Sequence, residues 1–512
     1  MSVQLDATRS APPVDSYWND PVAADPNRLA EPQPPVTAEA AVTELAEPDR
    51  PTLDNAVAID GNDTNPQQRS EGRTPDGKTV QIDPLHQGAE VSIAREQTLA
   101  DAGLGRTYVS TDQVVLTTGA KNDDVQITQR DDGTLDVGVN GEKYEVRLGE
   151  NQELTIRSGA GNDTINVASN VKVNIVVDGG AGDDQIATGA GSDRIDGGLG
   201  NDVISTGAGR DDVFGNSGDD RLDAGTGDDV VYGGDGADTL GGGDGVDFLE
   251  GGQGQDTLEG GAGKDMLSGG LGDDSLRGGE GDDAVYTGAG KDTVDNRSGH
   301  DTVYAQQASD LINAATGARN TVINVEISAS KGVTIEGSDA FKQRVGAEIE
   351  FLRSSPNGQQ MLAEFDQAAA RGNSVTIKEL ANEQNGYAQT FSNDADIVNG
   401  KPGAGGDVQI SYNPSFHLAE FPAPVVVLYH EMSHAYNGVT GTFQPGTYRG
   451  TGPDNGEVPN AERQAVGLET SAPAYDFDGD PNTPKTTANP DHLTENGIRG
   501  ELGLPDRPSY SL

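Results

Sequence analysis

GGAGDDQIATGAGSDRIDGGLGNDVIS, residues 179 to 205, repeats itself every nine residues. The unit is G-G-x-G-x-D-x-U-x, with U apolar. Its register runs unbroken through Asp184, Asp193, Asp202, Asp211, Asp220, Asp229, Asp238, Asp247, Asp256, Asp265, Asp274, Asp283, Asp292 and Asp301. Two residues after each aspartate stands Ile, Val or Leu, from Ile186 to Val303. Six residues of glycine-rich turn and three of strand make half a coil. Fourteen units therefore predict a parallel β-roll of about seven coils, on the order of 34 Å long at ~4.8 Å per strand. The apolar residues stack into a thin internal ladder, while the turns place like charges coil on coil.

That repulsion needs an answer. Residues 179–305 carry 28 acidic and 7 basic side chains, a net charge of −21. Calcium is a hard cation that takes six to eight oxygen ligands, and one ion between turns two units apart gives about twelve sites, enough positive charge to neutralise the roll. The run resembles the RTX calcium-binding β-roll. The resemblance implies that the fourteen aspartates above bind calcium.

Composition sets wider limits. The chain has 512 residues, of which 33% are hydrophobic and 5% aromatic, too few for one large close-packed core. Its net charge of −50 excludes nucleic-acid binding through phosphate contacts and docking on anionic lipid. No cysteine is present, so neither disulfides nor thiolate metal sites form. No segment approaches 18 consecutive apolar residues, which predicts no membrane span, and residues 1–30 lack the basic and apolar regions of a cleaved signal. The expectation is a secreted, multidomain protein without a cleaved N-terminal signal peptide.

Around the roll the sequence divides further. Residues 1–105, rich in Pro, Ala, Asp and Gln, read as a disordered arm. Residues 106–178 alternate like strands between Gly, Asn and Asp turns and read as a β-rich entry. The roll spans 179–305, a cap and linker 306–337, and an α+β domain 338–512. In that last domain Phe341, Val345, Ile349 and Leu352 fall at helical spacing, with a second helix carrying Met361, Leu362 and Phe365.

Two strand-like segments, NSVTIKEL and DVQISYNP, lead to VVVLYHEMSHAYNG, residues 425–438, with Pro424 placed for a helical first turn. His430 and His434 stand at i and i+4 on one helix face, and Glu431 lies beside them. This is the H-E-x-x-H pattern of a zinc site in which the glutamate activates water. Composition alone produces such a match on the order of 0.004 times per chain of this kind. A catalytic zinc needs a third protein ligand. The extension to Gly and His at 437 and 440 is absent, because Asn437 and Thr440 stand there. Residues 459–470 read as a helix capped by Asn460, which offers Glu462 and Glu469. Near the end Arg507 and Tyr510 are suitable donors to an oxyanion. The acidic loop Asp476, Asp478, Asp480 fits either a calcium site or a solvated turn. His86, His300, His417 and His492 fit no ligand spacing.

From the helices near residue 340 through HEMSH, NAERQAVGL, TENGIRGELGLP and RPSY, residues 338–512 resemble the NleD-like effector zinc metallopeptidases, and through them the clostridial neurotoxin light chains. The resemblance implies a zincin-like fold and an endopeptidase acting on host proteins, signalling proteins among them. It selects Glu462 as the third zinc ligand beside His430 and His434, leaves Glu469 to orient a histidine, and assigns catalysis to Glu431, Arg507 and Tyr510. The alternative is a calcium-binding surface or adhesive scaffold carrying an inactive zincin domain.

Overall fold

The computed structural model describes residues 56–510 except 104–105, 297, 307–308, 315–319, 327–331, 381–386, 391–394, 416–422, 457 and 478–483. Among the described residues two long sheets of 13 and 14 strands face each other, and a third sheet of 4 strands belongs to the C-terminal domain. The two long sheets are the walls of the roll. Strand pairs repeat at an 18-residue offset, as in Leu222↔Leu240 on one wall and Val231↔Leu249 on the other. Every apolar U residue from Ile186 to Val303 is buried in one continuous ladder between them.

The roll is longer than its unbroken register. Glu153–Arg157, Thr164–Val167 and Ile175–Asp178 already lie in the ladders, and Leu311–Ala314 and Thr321–Asn324 extend them beyond residue 305. This gives about 9 coils over 154–324, not seven. The cap expected at 306–337 is therefore divided. Its first part is roll, while Thr334–Glu336 already pairs with Val375–Glu379 in the C-terminal sheet.

Residues 1–55 lie outside the described residues, but 56–103 do not form the structureless arm expected there. Val57–Asp60 pairs with Glu142–Arg147, and Ser70–Arg73, Thr79–Gln87, Ser92–Gly103 and Arg106–Thr117 form an antiparallel meander that caps the roll through Glu153–Arg157. Ion pairs tie these segments together: Arg69, just before Ser70–Arg73, has Nη2 2.7 Å from Asp83 Oδ2, and Arg157 Nη1 lies 3.0 Å from Glu96 Oε1. Hydropathy alone hides such strands.

The C-terminal domain is built on helices α1 (Asp339–Ser354), α2 (Pro356–Arg371), α3 (Pro424–Thr440), α4 (Asn460–Val466) and α5 (Glu495–Glu501). Ser338 and Ser355 cap α1 and α2 through their hydroxyls, and Pro356 and Pro424 open α2 and α3 where a missing N–H costs nothing. Val375–Glu379 and Val408–Tyr412 run parallel, with Tyr387–Thr390 antiparallel at the edge. Helix α3 is buried on all sides from Pro424 to Val439.

The roll and this domain share a core. On one wall the residues flanking the ladder point outward and are apolar: Phe214, Val230, Tyr232, Phe248, Met266, Tyr286 and Tyr304 pack with Phe341, Val345, Ile349 and Phe351 of α1. Tyr286 stacks on Tyr304 with ring centroids 4.4 Å apart and meets Phe351 at 4.5 Å. On the opposite wall the same positions are Arg221, Thr239, Thr257, Glu259 and Ser275, all exposed. Replacing Phe351 by alanine removes the ring common to Phe248 and Tyr286 and costs about 3–5 kcal/mol. Calorimetry of the calcium-loaded chain is expected to show roll and domain melting together in the wild type and separately in Phe351→Ala.

Candidate metal centres

The carboxylates of the roll turns are half satisfied. Each Oδ1 accepts a hydrogen bond from a backbone N–H one coil earlier, that of Ile175 at Asp193 and of an aspartate at the others, as from Asp238 to Asp256 (2.8 Å) and from Asp247 to Asp265 (3.1 Å). The other oxygen, Oδ2, is buried without a hydrogen-bond partner in the thirteen aspartates of the nine-residue register from Asp184 to Asp292. It faces a carbonyl of the next coil across a glycine. A Cβ placed on Gly251 would lie 2.6 Å from Asp256 Oδ2 and 2.7 Å from the Gly269 carbonyl oxygen. The bare glycine leaves room where carboxylate and carbonyl oxygens converge, which is the donor set calcium takes. The arrangement reaches past the nonamer register. Asp163 donates its N–H to Asp184 Oδ1 at 2.7 Å, and Asp310 Oδ1 accepts from Asp292 at 3.3 Å. The segment GAGND, residues 159–163, carried that signal, displaced by three residues from the regular spacing.

Burial pushes these aspartates up, to about 8 at Asp220, Asp229, Asp265 and Asp274 and to about 7 at Asp184, Asp211, Asp238, Asp247 and Asp292. A carboxyl raised by folding stabilises the metal-free roll while protonated. That contribution is complete below about pH 4 and is lost as pH climbs through the folded-state values. Circular dichroism of calcium-free protein is expected to show more β structure at pH 5 than at pH 8, and equal content at the two would contradict this.

The second centre lies on α3. His430 Nε2 and His434 Nε2 are 3.2 Å apart, and Glu462 Oε2 of α4 lies 3.5 Å from the first and 3.0 Å from the second. These three residues form a cluster that could hold a metal ion, found among the described residues. Burial opposes ionisation of Glu462, but the two histidines outweigh it and hold its carboxyl well below the usual range. Burial likewise works against a charged His430, yet Glu462 and Glu495 raise it above its ordinary value. The carboxylates of Glu462 and Glu495 make the cluster favour positive charge, and a bound metal would take the place of the proton on His430. Glu431 is buried beside it, pushed up by burial against the pull of both histidines, and takes a hydrogen bond from the backbone of Ala388 on the edge strand.

What orients these side chains is only partly as expected. Glu469 does not reach the site: α4 stops at Val466, Gly467 turns the chain at φ 97°, and Glu469 is exposed, its carbonyl accepting from Arg463 Nε at 2.9 Å. Pro459 occupies the cap position, and Asn460 instead ties neighbouring loops, donating to the Pro445 carbonyl and accepting from Ser471 N–H. The group on His430 is Glu495, fully buried, with Oε2 2.9 Å from Nδ1. Arg507 Nη1 holds the same oxygen at 3.2 Å and Arg499 Nη1 lies 3.4 Å from Oε1. Arg507 also donates from Nη2 to the Tyr510 carbonyl at 2.6 Å. The Tyr510 ring lies 6.4 Å from that of His430, and its phenol is raised by burial and by the Glu462 charge. Asp454 fixes this end of the chain by accepting from Tyr510 N–H at 3.0 Å and pairing with Arg463.

Asn437 replaces the glycine of the extended motif for a structural reason. Its amide bonds Thr442 and Asn489, and Asn489 in turn bonds Ser433 and Gln464, locking α3 to α4. Sequence reasoning missed Glu495 and Asp454. The Thr494 cap placed Glu495 in the first turn of α5, but nothing local shows that this turn faces α3. Asp478 and Asp480 lie outside the described residues, as does His417. His86 packs against Tyr144, His300 pairs with Asp282, and His492 offers its carbonyl to Tyr429.

Fold and site together define a calcium-roll protein whose C-terminal domain carries a His-His-Glu cluster beside a buried glutamate. Residues 329–510 match the Peptidase_M91 family, described as effector protein, and overlapping segments within 178–303 match the RTX calcium-binding nonapeptide repeat. The C-terminal domain is thus an effector peptidase domain, preceded by RTX calcium-binding repeats. No curated protein matches the chain. No described helix is long and apolar enough to cross a membrane.

Removing the carboxylate that holds His430 is expected to weaken metal binding. Glu495→Gln should lower affinity about 10- to 100-fold, measured by competition with a chromophoric chelator; unchanged affinity would remove Glu495 from the site.

Proposed function

We propose that the protein is a secreted zinc-dependent endopeptidase that acts as a bacterial effector on host proteins, with a calcium-stabilised roll. The observation that carries the reading is the convergence of His430, His434 and Glu462, whose imidazole and carboxylate donors suit zinc, with Glu431 buried beside them. Bound zinc would supply Lewis acidity, polarising the scissile carbonyl and making water acidic enough to give up a proton near neutral pH. Glu431, one residue from the first histidine and raised by burial, takes the proton from the attacking water and delivers it to the leaving amine. Tyr510 donates its hydroxyl to the developing oxyanion. Arg507 acts behind it, holding the Tyr510 backbone and Glu495. Tyr387–Thr390, at the edge of its sheet and bonded through Ala388 to Glu431, supplies a row of backbone groups along which an extended polypeptide would pair.

Glu431→Gln should leave zinc content unchanged and lower turnover about 10²- to 10⁴-fold. The check is terminal-peptide mass spectrometry of a host-cell lysate incubated with calcium, zinc and either wild type or variant. New N-termini made by wild type alone support the peptidase and name its targets; identical peptide sets from both would defeat it.

A further inference from the structure

Helix α5 touches both parts of the molecule. Its first residue, Glu495, holds His430 Nδ1 at 2.9 Å, and its last, Glu501, is gripped by the roll. The Tyr286 hydroxyl donates to Glu501 Oε1 at 3.0 Å and the Tyr304 hydroxyl to the Glu501 carbonyl at 3.0 Å. Lys264, also from the roll, donates to the Gly503 carbonyl just beyond. A second route runs through α2. Glu501 Oε2 accepts from Asn357 N–H at 2.9 Å, Asn357 Nδ2 donates to the Gly497 carbonyl at 2.8 Å, and the Asn357 carbonyl lies 2.9 Å from the hydroxyl of Tyr429, the residue before His430.

Both tyrosines follow calcium-turn aspartates by three residues, Tyr286 after Asp283 and Tyr304 after Asp301. Their strands, Ala284–Tyr286 and Thr302–Ala305, exist only as members of the stacked ladder, each taking its hydrogen bonds from neighbouring coils. A roll without its cations leaves buried carboxylate oxygens facing carbonyls, so these strands order when the turns fill. Glu501 is itself largely buried and is raised by that burial; without the Tyr286 hydroxyl a carboxylate in that place lacks one of its few donors.

We propose that Tyr286 is a positioning residue for the metal centre, through which the calcium-ordered roll fixes α5 and Glu495, and thereby His430. The inference rests on the zinc reading above and adds its regulation: the ligand set is complete only where calcium is abundant. The roll thus licenses the peptidase as well as stabilising the chain. Glu501 bridges two elements that a free-standing domain would leave apart, and the aromatic row from Phe214 to Tyr304 is covered by α1 rather than by solvent.

The experiment measures zinc affinity of the whole chain, dialysed free of both metals, with and without millimolar calcium, for wild type and Tyr286→Phe. Cobalt in place of zinc gives the ligand-field spectrum as a second readout, and far-UV circular dichroism follows the roll. In wild type the zinc Kd is expected to fall about 10-fold or more when calcium is added. In Tyr286→Phe the calcium-induced β signal is expected to persist while roughly 3- to 10-fold of that gain is lost, the worth of one ordinary intramolecular hydrogen bond. A wild-type zinc Kd and cobalt spectrum indifferent to calcium would overturn the linkage while leaving the peptidase reading standing. A full gain in Tyr286→Phe would overturn the role of that residue. Absence of zinc binding at any calcium level would defeat the zinc reading and the linkage with it.

Discussion

The structure depends on how buried carboxylates are neutralised. A nonamer roll has an interior one side chain wide, so the hydrophobic effect contributes little per residue and the turns must hold the coils together. Each turn brings an aspartate whose Oδ1 is fixed by a backbone amide one coil earlier and whose Oδ2 is aimed at a carbonyl across a bare glycine. In isolation this arrangement is repulsive, and burial raises the carboxyl groups accordingly. With calcium it becomes a stack of cation sites. An ion that binds only the stacked turns would stabilise the roll over the extended chain.

From that constraint follows the division of the two walls. Both walls carry the same internal ladder, but only one displays Phe214, Tyr232, Phe248, Met266, Tyr286 and Tyr304 outward, and that one is covered by α1. The peptidase domain thus rests on a surface that the roll provides. Buried polar contacts fix its register on that surface. Tyr232 and Tyr412 both donate to Glu348, and Arg344 lies 3.3 Å over the Phe214 ring. Helix α5 then carries the same register to the His-His-Glu cluster, since one end meets the roll and the other meets His430.

The regular parts were legible because their signals are local and periodic. Nine-residue spacing gives the roll, and an i, i+4 histidine pair with an adjacent glutamate gives three side chains of the site without any tertiary information. Glu462 came from resemblance. Its rival Glu469 fell away because Gly467 ends the helix in the left-handed region, a stop visible in the sequence once weighed. Glu495 and Asp454 were not legible: each acts across the fold, on His430 and on Tyr510, and no spacing along the chain encodes that. The capping meander at 70–117 was lost for another reason, its strands being held by pairs such as Arg69 and Asp83 where apolar alternation was sought. The docking wall was written at 18-residue intervals, Phe214, Tyr232, Tyr286 and Tyr304 among them, but such a period shows only when alternate nonamers are compared.

Hydrogen exchange of the intact chain, read by mass spectrometry with calcium present and absent, tests most directly whether the roll wall holds the peptidase domain. The account predicts that amide protection in Ala284–Tyr286 and in α5, Glu495–Glu501, rises together as calcium is added. Full protection of α5 in calcium-free protein whose roll exchanges freely would contradict it.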